Sequence, residues 1–491
     1  MANSIIDRTL NATKWSVITE LLAKCIAPVT SMILARILAP EAFGVLSTVS
    51  MVIAFAEVFV DSGFQKYLIQ HAFENEEQER KYMSVAFWAN LCFALVLWAM
   101  LAVFNTEIAI LVGSPGKGHL IVIAGITVPI YSMIGIQNCR LRKELNFKKL
   151  FYVRIASVLV PLVVTIPLAL LGLDYWALII GYIAGVIVNL LVLIAVKAFK
   201  PMRYFSWDAL MEMLSCGIWT LMNGLATWLT SWLDAFLIGR CLTDYYLGLY
   251  KNSVNLVTSI FTIVTAAITP VLFSSLSKLQ DDDVMFKKVF LGVQRAISIL
   301  LIPMGVGLVL YRGFATDLLL GAQWKEAADI IGVSSLTIAL RAIFVGMNGD
   351  VFRAKGHFKT PLFLDVLDLA VNIPICYIAL QHDFWTFVYV RAWLKLFLVV
   401  PESYYLRKMC NISPIAVLRN VWKYAFGSIV MCGVALLLQR VSMSFAWSAI
   451  SIIVCAAAYG GVLCLFPGER KELLGYLKKW LNKVKQEAAH E

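Results

Sequence analysis

Long apolar runs dominate this 491-residue chain and decide which folds are open to it. Hydrophobic residues make up 60% of the sequence and charged residues 15%, whereas soluble domains are about 45–50% apolar and about 25% charged. A run of about 20 apolar residues crosses the hydrocarbon core of a bilayer as one helix. A membrane β-barrel would instead show segments of about ten residues with alternating hydrophobicity. The sequence therefore predicts an all-α polytopic membrane protein.

The spacing of the runs predicts fourteen transmembrane helices joined by loops that are too short to form a soluble domain. The first 14 residues are polar and the apolar run after them has full length, so we expect no cleavable signal peptide. The predicted spans are 15–38, 44–69, 82–104, 119–139, 151–171, 175–196, 210–236, 246–275, 286–310, 327–350, 358–380, 384–406, 417–438 and 444–466.

Short motifs from the first half of the chain recur in the second half. The segment Leu34–Gly44 has an echo 204 residues later in Ile238–Gly248, and further matches follow in the same order at offsets of 208 and 211 residues. The matched pairs are Arg36 with Arg240, Leu38 with Leu242, Gly44 with Gly248, Gly113 with Gly321, Lys117 with Lys325, Arg142 with Arg353, Phe147 with Phe358, and Lys148 with Lys359. A shared order with a small drift in offset indicates an internal duplication. Two homologous halves are the usual plan of an alternating-access transporter.

The duplication predicts two pseudo-symmetric lobes of six helices, at residues 1–200 and 201–410, with two extra helices in residues 411–468. Because each half holds an even number of spans, the halves should be parallel, and transport should proceed by rocking one against the other. The remaining segment, residues 469–491, has apolar residues on one helical face and lysines on the other. This favours a helix on the membrane surface, with a frayed, solvated tail as the alternative.

The basic residues are distributed very unevenly between the two sides of the predicted spans. With the N-terminus inside, the outer side holds only Lys117, Arg240, Arg312, Lys325 and Arg440. The positive-inside rule therefore predicts that both termini are cytoplasmic. The net charge of +11 follows mostly from this topology and from attraction to anionic lipid, so it gives little support to nucleic-acid binding.

Ionisable residues inside predicted spans are costly and are therefore candidates for function. Arg391 and Lys395 share one face of a predicted helix and cannot neutralise each other. With Arg295 and Arg341 they predict a water-filled, cation-lined cavity in the second half that would attract a phosphate or an acidic sugar. The candidate cavity cations are Lys24, Arg295, Arg341, Arg391 and Lys395, and the candidate coupling or charge-balancing acids are Glu20, Glu57, Asp61, Asp234, Asp365 and Asp368.

Structural interpretations of the same charges stay open. Glu20 and Lys24 can neutralise each other at i,i+4 spacing, Asp234 can pair with Lys251, and Asp365 and Asp368 can pair with the basic residues of the next span. The ten cysteines and five histidines show no metal-ligand spacing, so we expect no metal site and no catalytic site. Tryptophans 219, 228 and 232 could stack on sugar rings, although apolar packing is their ordinary role.

Seven short motifs, found in order, resemble a known family. They are Ala12–Ser16, Leu34–Gly44, Asp61–Phe64, Leu141–Phe147, Leu247–Tyr250, Pro270–Ser274 and Gly321–Trp324. Together they resemble the Wzx-type polysaccharide flippases of the multidrug/oligosaccharidyl-lipid/polysaccharide exporter superfamily, over residues from about 10 to 360. The last four spans show no matching motif. The positions that the motifs assign to the fold rather than to the substrate are Arg36, Pro40, Gly44, Gly63, Arg240, Gly248 and Pro270.

The resemblance implies a flippase of a bacterial or archaeal inner membrane that moves a lipid-linked oligosaccharide for surface polysaccharide synthesis. Its cargo would be carried on undecaprenyl pyrophosphate, with membrane lipid, a polysaccharide polymerase and chain-length machinery as partners. No cofactor is implied beyond coupling to H⁺ or Na⁺. One alternative is a multidrug antiporter, which would favour an acidic cavity. The other is a membrane polymerase or acyltransferase, against which the short outer loops and the lack of a catalytic constellation argue.

Overall fold

The computed structural model describes residues 2–60, 63–266, 269–357, 359–442 and 444–470. Within these ranges the regular structure is entirely helical, with one π-helical segment at Pro161–Thr165 and one 3-10 turn at Ala322–Trp324. The α-helices are Ala2–Ile37, Pro40–Val60, Phe64–Gln70, Glu76–Val103, Asn105–Leu111, Gly118–Gly125, Thr127–Lys143, Phe147–Val160, Ile166–Leu170, Tyr175–Ala195, Trp207–Cys241, Asp244–Ala266, Thr269–Lys278, Asp283–Leu310, Arg312–Leu319, Ala327–Phe344, Asn348–Ala354, Lys359–His382, Phe384–Leu394, Val399–Cys410, Pro414–Gln439 and Phe445–Cys464. The predicted all-α fold is confirmed.

Several helices begin at a polar residue whose side chain accepts a hydrogen bond from the first turn. Asn75 accepts from the Gln78 amide at 2.8 Å, and Asp282 accepts from the amides of Val284 and Met285 at 3.1 and 3.0 Å. Such caps satisfy backbone donors that have no partner inside the helix. They fix where the chain leaves a short loop and enters a long apolar helix.

Twelve helical stretches in the described ranges are long and apolar enough to cross a membrane. The other two predicted spans, 210–236 and 246–275, are also helical but less apolar, in Trp207–Cys241, Asp244–Ala266 and Thr269–Lys278. The 23 residues of Asp244–Ala266 extend about 35 Å at 1.5 Å per residue. Part of this helix lines a polar cavity, where polar residues are tolerated at membrane depth. The count of fourteen spans stays a prediction.

Contacts divide the chain into two compact units. Unit 1 comprises residues 1–267, 319–327 and 361–394, and unit 2 comprises residues 268–318, 328–360 and 395–491. Helices Pro40–Val60 and Asp244–Ala266 pack against each other in unit 1. In unit 2, Pro414–Gln439 packs against its neighbours in the sequence and against Asp283–Leu310. These units follow contacts rather than chain order, so the lobe boundaries near residues 200 and 410 stay predictions.

Candidate functional site

Unit 1 contains a cavity of about 810 Å³. This volume is typical of ligand pockets, which hold about 300–1,000 Å³. Amides, hydroxyls and two tyrosines supply much of its surface, and its charged lining residues, among those described, are Glu57, Arg142 and Arg154. The polar lining residues are Thr30, Ser31, Ser47, Glu57, Gln65, Asn90, Tyr131, Ser132, Asn138, Arg142, Arg154, Ser157, Tyr182, Asn189, Asn252, Asn255 and Ser259.

The cavity runs along most of helix Pro40–Val60. Phe43, Leu46, Glu57 and Val60 all line it, and the 17 steps from Phe43 to Val60 correspond to about 25 Å at 1.5 Å per residue. We call the end near Pro40 the motif end, since the repeated segments 34–44 and 238–248 lie there. We call the other end, where Arg142 and Arg154 lie, the arginine end.

Two prolines shape the wall of the cavity. Pro28 lies inside helix Ala2–Ile37, and Pro161 begins the π-helical segment Pro161–Thr165. Both residues line the cavity, and both interrupt regular helical hydrogen bonding. The π segment packs closely on helix Tyr175–Ala195, because a Cβ on Gly181 would lie 2.9 Å from the Thr165 Cβ and closer still to its hydroxyl. Glycine at position 181 therefore allows the bulged wall.

The two arginines at the arginine end are exposed and have no carboxylate partner among the described residues. Arg142 is the last residue but one of helix Thr127–Lys143, and Arg154 lies two turns into helix Phe147–Val160. Neither forms an ion pair with any described residue, although both line the cavity. Guanidinium groups that line a polar cavity and are not engaged in ion pairs are suited to bind a phosphate or diphosphate.

Glu57 lies about one helical turn before Val60 and faces the same cavity. The Tyr182 hydroxyl donates a long hydrogen bond of 3.5 Å to its carboxylate. Within the described part of the chain Glu57 has no ion-pair partner, and it is half-buried. A carboxylate at membrane depth without a cation is a candidate for proton or cation binding.

The two copies of the sequence repeat meet at the motif end through reciprocal glycine contacts. A Cβ on Gly44 would lie 3.0 Å from the Asp244 Cα and closer still to the Asp244 carbonyl oxygen. A Cβ on Gly248 would lie 2.7 Å from the Gly44 nitrogen and closer still to the Pro40 carbonyl oxygen. Pro40 and Asp244 are themselves 204 residues apart, as are the two glycines. Glycine lets helices Pro40–Val60 and Asp244–Ala266 touch at their first turns.

A second reciprocal pair of glycines lies beside the two repeated arginines. Gly113, at φ 81°, would place a Cβ 2.8 Å from the Arg240 Cα, and Gly321, at φ 95°, would place one 3.3 Å from the Arg36 side chain. These positive φ angles favour glycine independently of the space available. Each glycine of the matched pair therefore contacts the repeated arginine of the other half of the sequence.

Polar side chains close the motif end further. Asp244 accepts a hydrogen bond from Ser114 at 2.9 Å and forms an ion pair with Lys117. Gln323 donates to the Leu38 carbonyl at 2.9 Å, and Trp324, which is fully buried, donates to the Ala35 carbonyl at 2.7 Å. Backbone contact and hydrogen bonds therefore hold the helix ends together at the motif end.

Two predicted cavity cations of the second half, Arg295 and Arg391, lie in ion pairs. Arg295 donates to Glu469 at 2.7 Å and to the Tyr424 hydroxyl at 2.9 Å. Burial of Glu469 opposes its ionisation, but hydrogen bonds from Arg295 and Tyr424 and the arginine charge outweigh this and hold its pKa below the usual value. Glu469 also forms an ion pair with Lys423 at 3.3 Å.

Arg391 is 5% exposed and donates to Asp234 at 2.5 Å and to the Asn372 side-chain carbonyl at 2.5 Å. Asp234 also accepts from the Tyr250 hydroxyl at 3.0 Å. The assignment of Arg295 and Arg391 to a ligand cavity therefore receives no support from the geometry.

The other predicted cations and acids occupy varied surroundings. Lys24 pairs with Glu20 at 3.9 Å, as the structural interpretation allows, and Arg341 donates to the Lys395 carbonyl at 3.3 Å. Lys395 is buried, Asp368 is buried beside Asn372, and Asp365 is half-buried. Their roles stay predictions. Asp61 and residues 471–491 of the predicted tail lie outside the described residues.

Gly63 and Pro270, which the motifs assign to the fold, both lie at the start of a helix, and two of the three tryptophans have described contacts. Gly63, at φ 86°, caps helix Phe64–Gln70, and Pro270 is the second residue of helix Thr269–Lys278. Trp228 donates to the Met51 carbonyl at 3.1 Å, and Trp232 lies under the Lys251 ammonium at 4.3 Å. The side chain of Trp219 lies outside the described residues.

The sequence did not single out the two arginines that line the cavity. Arg142 stands out only as a repeated loop residue within the Leu141–Phe147 motif, and Arg154 lies near the first residue of predicted span 151–171, where a basic residue is ordinary. Asparagines within apolar runs, such as Asn90, Asn189 and Asn252, were the available signal of a polar cavity. An amide at membrane depth needs a partner, as a charge does.

Comparison with known proteins gives one family and several relatives. Residues 33–329 match the family described as polysaccharide biosynthesis protein. The succinoglycan biosynthesis transport protein ExoT of Rhizobium meliloti is 27% identical over 323 residues, which are 66% of this chain and 65% of that protein. The lipopolysaccharide biosynthesis protein WzxC of Escherichia coli is 23% identical over 379 residues, 74% of this chain and 75% of that protein. The teichuronic acid biosynthesis protein TuaB of Bacillus subtilis is 24% identical over 378 residues, 74% of each chain.

Solved structures show the same fold. The lipid II flippase MurJ in an inward closed conformation superposes with a TM-score of 0.77 at 16% identity, over 94% of this chain and 100% of that one. An inward-facing multidrug transporter of the MATE family gives a TM-score of 0.54 at 14% identity, over 83% of this chain and 95% of that one. The fold is thus that of the exporter superfamily that the sequence motifs resemble.

Proposed function

This chain belongs to the polysaccharide biosynthesis protein family, and on that premise we propose that it is a flippase of the bacterial inner membrane. Its cargo is an oligosaccharide repeat unit linked to undecaprenyl diphosphate, which is used to build a surface polysaccharide. The names of the relatives, in succinoglycan, lipopolysaccharide and teichuronic acid biosynthesis, support this cargo class. A polymerase and its chain-length machinery then receive the translocated unit.

The observation that carries the proposal is a polar cavity lined by two arginines that have no ion-pair partner among the described residues. A diphosphate bears several anionic oxygens, and guanidinium groups bind such oxygens bidentately. We assign Arg142 and Arg154 to the diphosphate of the cargo. The glycan enters the cavity behind them, and the polyprenyl chain stays in lipid.

The distribution of basic residues orients this site. The positive-inside rule supports a topology with both termini and the arginine end in the cytoplasm and the motif end at the outer face. Lipid-linked repeat units would then be loaded from the inner leaflet, and the motif end would open to release them. The repeat glycines form the seal that has to separate in that step.

Glu57 is proposed to couple this cycle to protons. It lines the same cavity as the two arginines and has no ion-pair partner among the described residues. Protonation would remove a negative charge that opposes an anionic cargo. Coupling to Na⁺ would use the same carboxylate and differs only in the ion that drives export.

Loss of the gene tests the cargo directly. We expect the mutant to accumulate lipid-linked single repeat units on the cytoplasmic leaflet, which mass spectrometry of extracted glycolipids identifies. Export of single, unpolymerised units would indicate a polymerase instead. Normal polysaccharide together with new sensitivity to cationic drugs would indicate a multidrug antiporter.

The arginine variants test the site. Arg142→Gln and Arg154→Gln should each weaken binding of farnesyl diphosphate to the purified protein by about 10- to 100-fold, since a charge-assisted hydrogen bond contributes about 1.5–3 kcal/mol. Lysine at either position should do better than glutamine, because it keeps the charge and loses only the planar fork. Binding is measured by quenching of intrinsic tryptophan fluorescence.

Arg419→Gln is the matched control for these variants. Arg419 is exposed at the start of helix Pro414–Gln439, is predicted to be on the same side of the membrane, and does not line the described cavity. Equal losses in Arg419→Gln and Arg142→Gln would mean that general surface charge holds the probe, and the site assignment would be wrong.

Glu57→Gln tests coupling. In proteoliposomes with an imposed pH gradient, this variant should lose gradient-driven flipping while still binding farnesyl diphosphate at least as well as the wild type, because it removes only a titratable negative charge. Glu20→Gln is the control, since Glu20 is exposed and pairs with Lys24 outside the described cavity lining. Gradient-driven flipping by Glu57→Gln at the wild-type rate would remove Glu57 from the coupling mechanism.

A further inference from the structure

We infer that the amide-lined part of this cavity is a sugar-binding chamber that selects neutral, hydroxyl-rich sugars over uronic acids. The inference rests on the proposed function and specifies the sugar next to the diphosphate. The chamber consists of five asparagines from four helices: Asn90, Asn138, Asn189, Asn252 and Asn255.

Three of these asparagines have a buried amide atom with no hydrogen-bond partner in the described structure. They are Asn138, Asn189 and Asn252. Asn252 is only 7% exposed, and its carbonyl accepts from the Ser31 hydroxyl at 3.1 Å while its amino group has no acceptor. A buried polar group without a partner costs free energy. Three such groups, from three helices, all belong to residues lining one cavity, which indicates a site built for a hydrogen-bonding ligand.

The chemistry of the amide favours one class of ligand. An amide presents both donors and an acceptor, and a hydroxyl can satisfy either because it donates and accepts. A carboxylate only accepts, so it can satisfy fewer of these groups. Ser132, Ser157 and Ser259 add further hydroxyls to the same walls.

The carboxylate of Glu57 also disfavours negatively charged sugars. It lies in the same cavity, and the only described cations that line the cavity are Arg142 and Arg154. With those arginines assigned to the diphosphate, a uronic acid in the chamber would meet the Glu57 carboxylate without a further cation to compensate its charge. Neutral hexoses and acetamido sugars have no such conflict.

Three synthetic probes test this inference. They are farnesyl diphosphate, farnesyl diphosphate linked to glucose, and farnesyl diphosphate linked to glucuronic acid, and the two sugar probes differ only at carbon 6. We expect the glucose probe to bind about tenfold or more tighter than the bare diphosphate, since several new hydrogen bonds form. The glucuronate probe should bind no tighter than the bare diphosphate.

Leucine variants locate the contacts. Asn138→Leu and Asn189→Leu should each reduce the advantage of the glucose probe by about three- to tenfold, which is the effect of one lost hydrogen bond. Affinity for bare farnesyl diphosphate should be unchanged. The thermal stability of the unliganded protein should be equal or higher, because an unpaired buried amide has been removed. Asn252→Leu is a third test, and if it fails to fold through loss of the Ser31 contact, the other two suffice.

Asn223→Leu is the matched control, because Asn223 is exposed on helix Trp207–Cys241 and is not among the described lining residues. Equal binding of the glucose and glucuronate probes would overturn the inference. So would leucine variants that keep the full glucose advantage. If bare farnesyl diphosphate does not bind, or binds without need of Arg142 and Arg154, the proposed function fails instead, and the two failures are therefore distinguishable.

Discussion

Gly44→Ala and Gly248→Ala are expected to abolish polysaccharide export. Each substitution adds one methyl group where the partner helix presents backbone rather than a flexible side chain. Overpacking of this kind costs about 1–3 kcal/mol or more, and here the backbone of Asp244 or Pro40 has to move. The first turns of helices Pro40–Val60 and Asp244–Ala266 would separate, and the motif end could no longer seal. Export is measured as surface polysaccharide at matched protein level.

The chain provides a close control for this effect. Gly307 and Gly433 lie inside helices, and a Cβ on either would meet nothing within 4 Å. Alanine there should leave export unchanged and raise stability slightly, since alanine is favoured over glycine in a helix by about 1 kcal/mol. The double variant Gly44→Ala with Gly248→Ala should lose less stability than the sum of the losses in the two single variants, because both methyl groups separate the same pair of helices. Wild-type export by Gly44→Ala would show that the contact is not needed for sealing.

The duplication illustrates what the sequence could predict about this site. The offset of 204 residues identified Gly44 and Gly248 as equivalent positions. The sequence could not predict that Gly44 contacts Asp244, four residues before Gly248, or that Gly248 contacts Pro40, four residues before Gly44. That relation depends on how two helices cross, which neither hydrophobic runs nor local motifs encode.

The buried charges illustrate the opposite case. Depth in an apolar run made Arg295 and Arg391 candidates for a ligand cavity, and the structure pairs each with a carboxylate. The choice between a ligand and a protein carboxylate was open, because the partners are far away in the sequence. Arg391 pairs with a residue 157 positions earlier, and Arg295 pairs with Glu469, which the sequence placed at the start of a surface tail. Arg154 was overlooked because an arginine near the end of a span ordinarily faces solvent.

Arg391→Met is expected to destabilise the protein by about 3–5 kcal/mol, because it removes one member of a buried ion pair. The side chains of Arg391 and Asp234 are 6% and 12% exposed, and they meet at 2.5 Å. Little folded protein should be recovered in detergent, and the thermal midpoint of any that remains should fall. Asp234→Leu alone should have a similar effect, since it strands the arginine.

The double variant Asp234→Leu with Arg391→Met should recover both stability and export. Replacing a buried ion pair by apolar residues of similar size is often neutral or stabilising, and neither residue is among the described residues that line the cavity. Arg312 and Asp329 supply a matched control of the same residue types at 2.9 Å, with side chains 51% and 46% exposed. Arg312→Met should change stability by only about 0–1 kcal/mol, as exposed ion pairs contribute little. A double variant that folds well and still fails to export would contradict a purely structural role and return Arg391 and Asp234 to the transport mechanism.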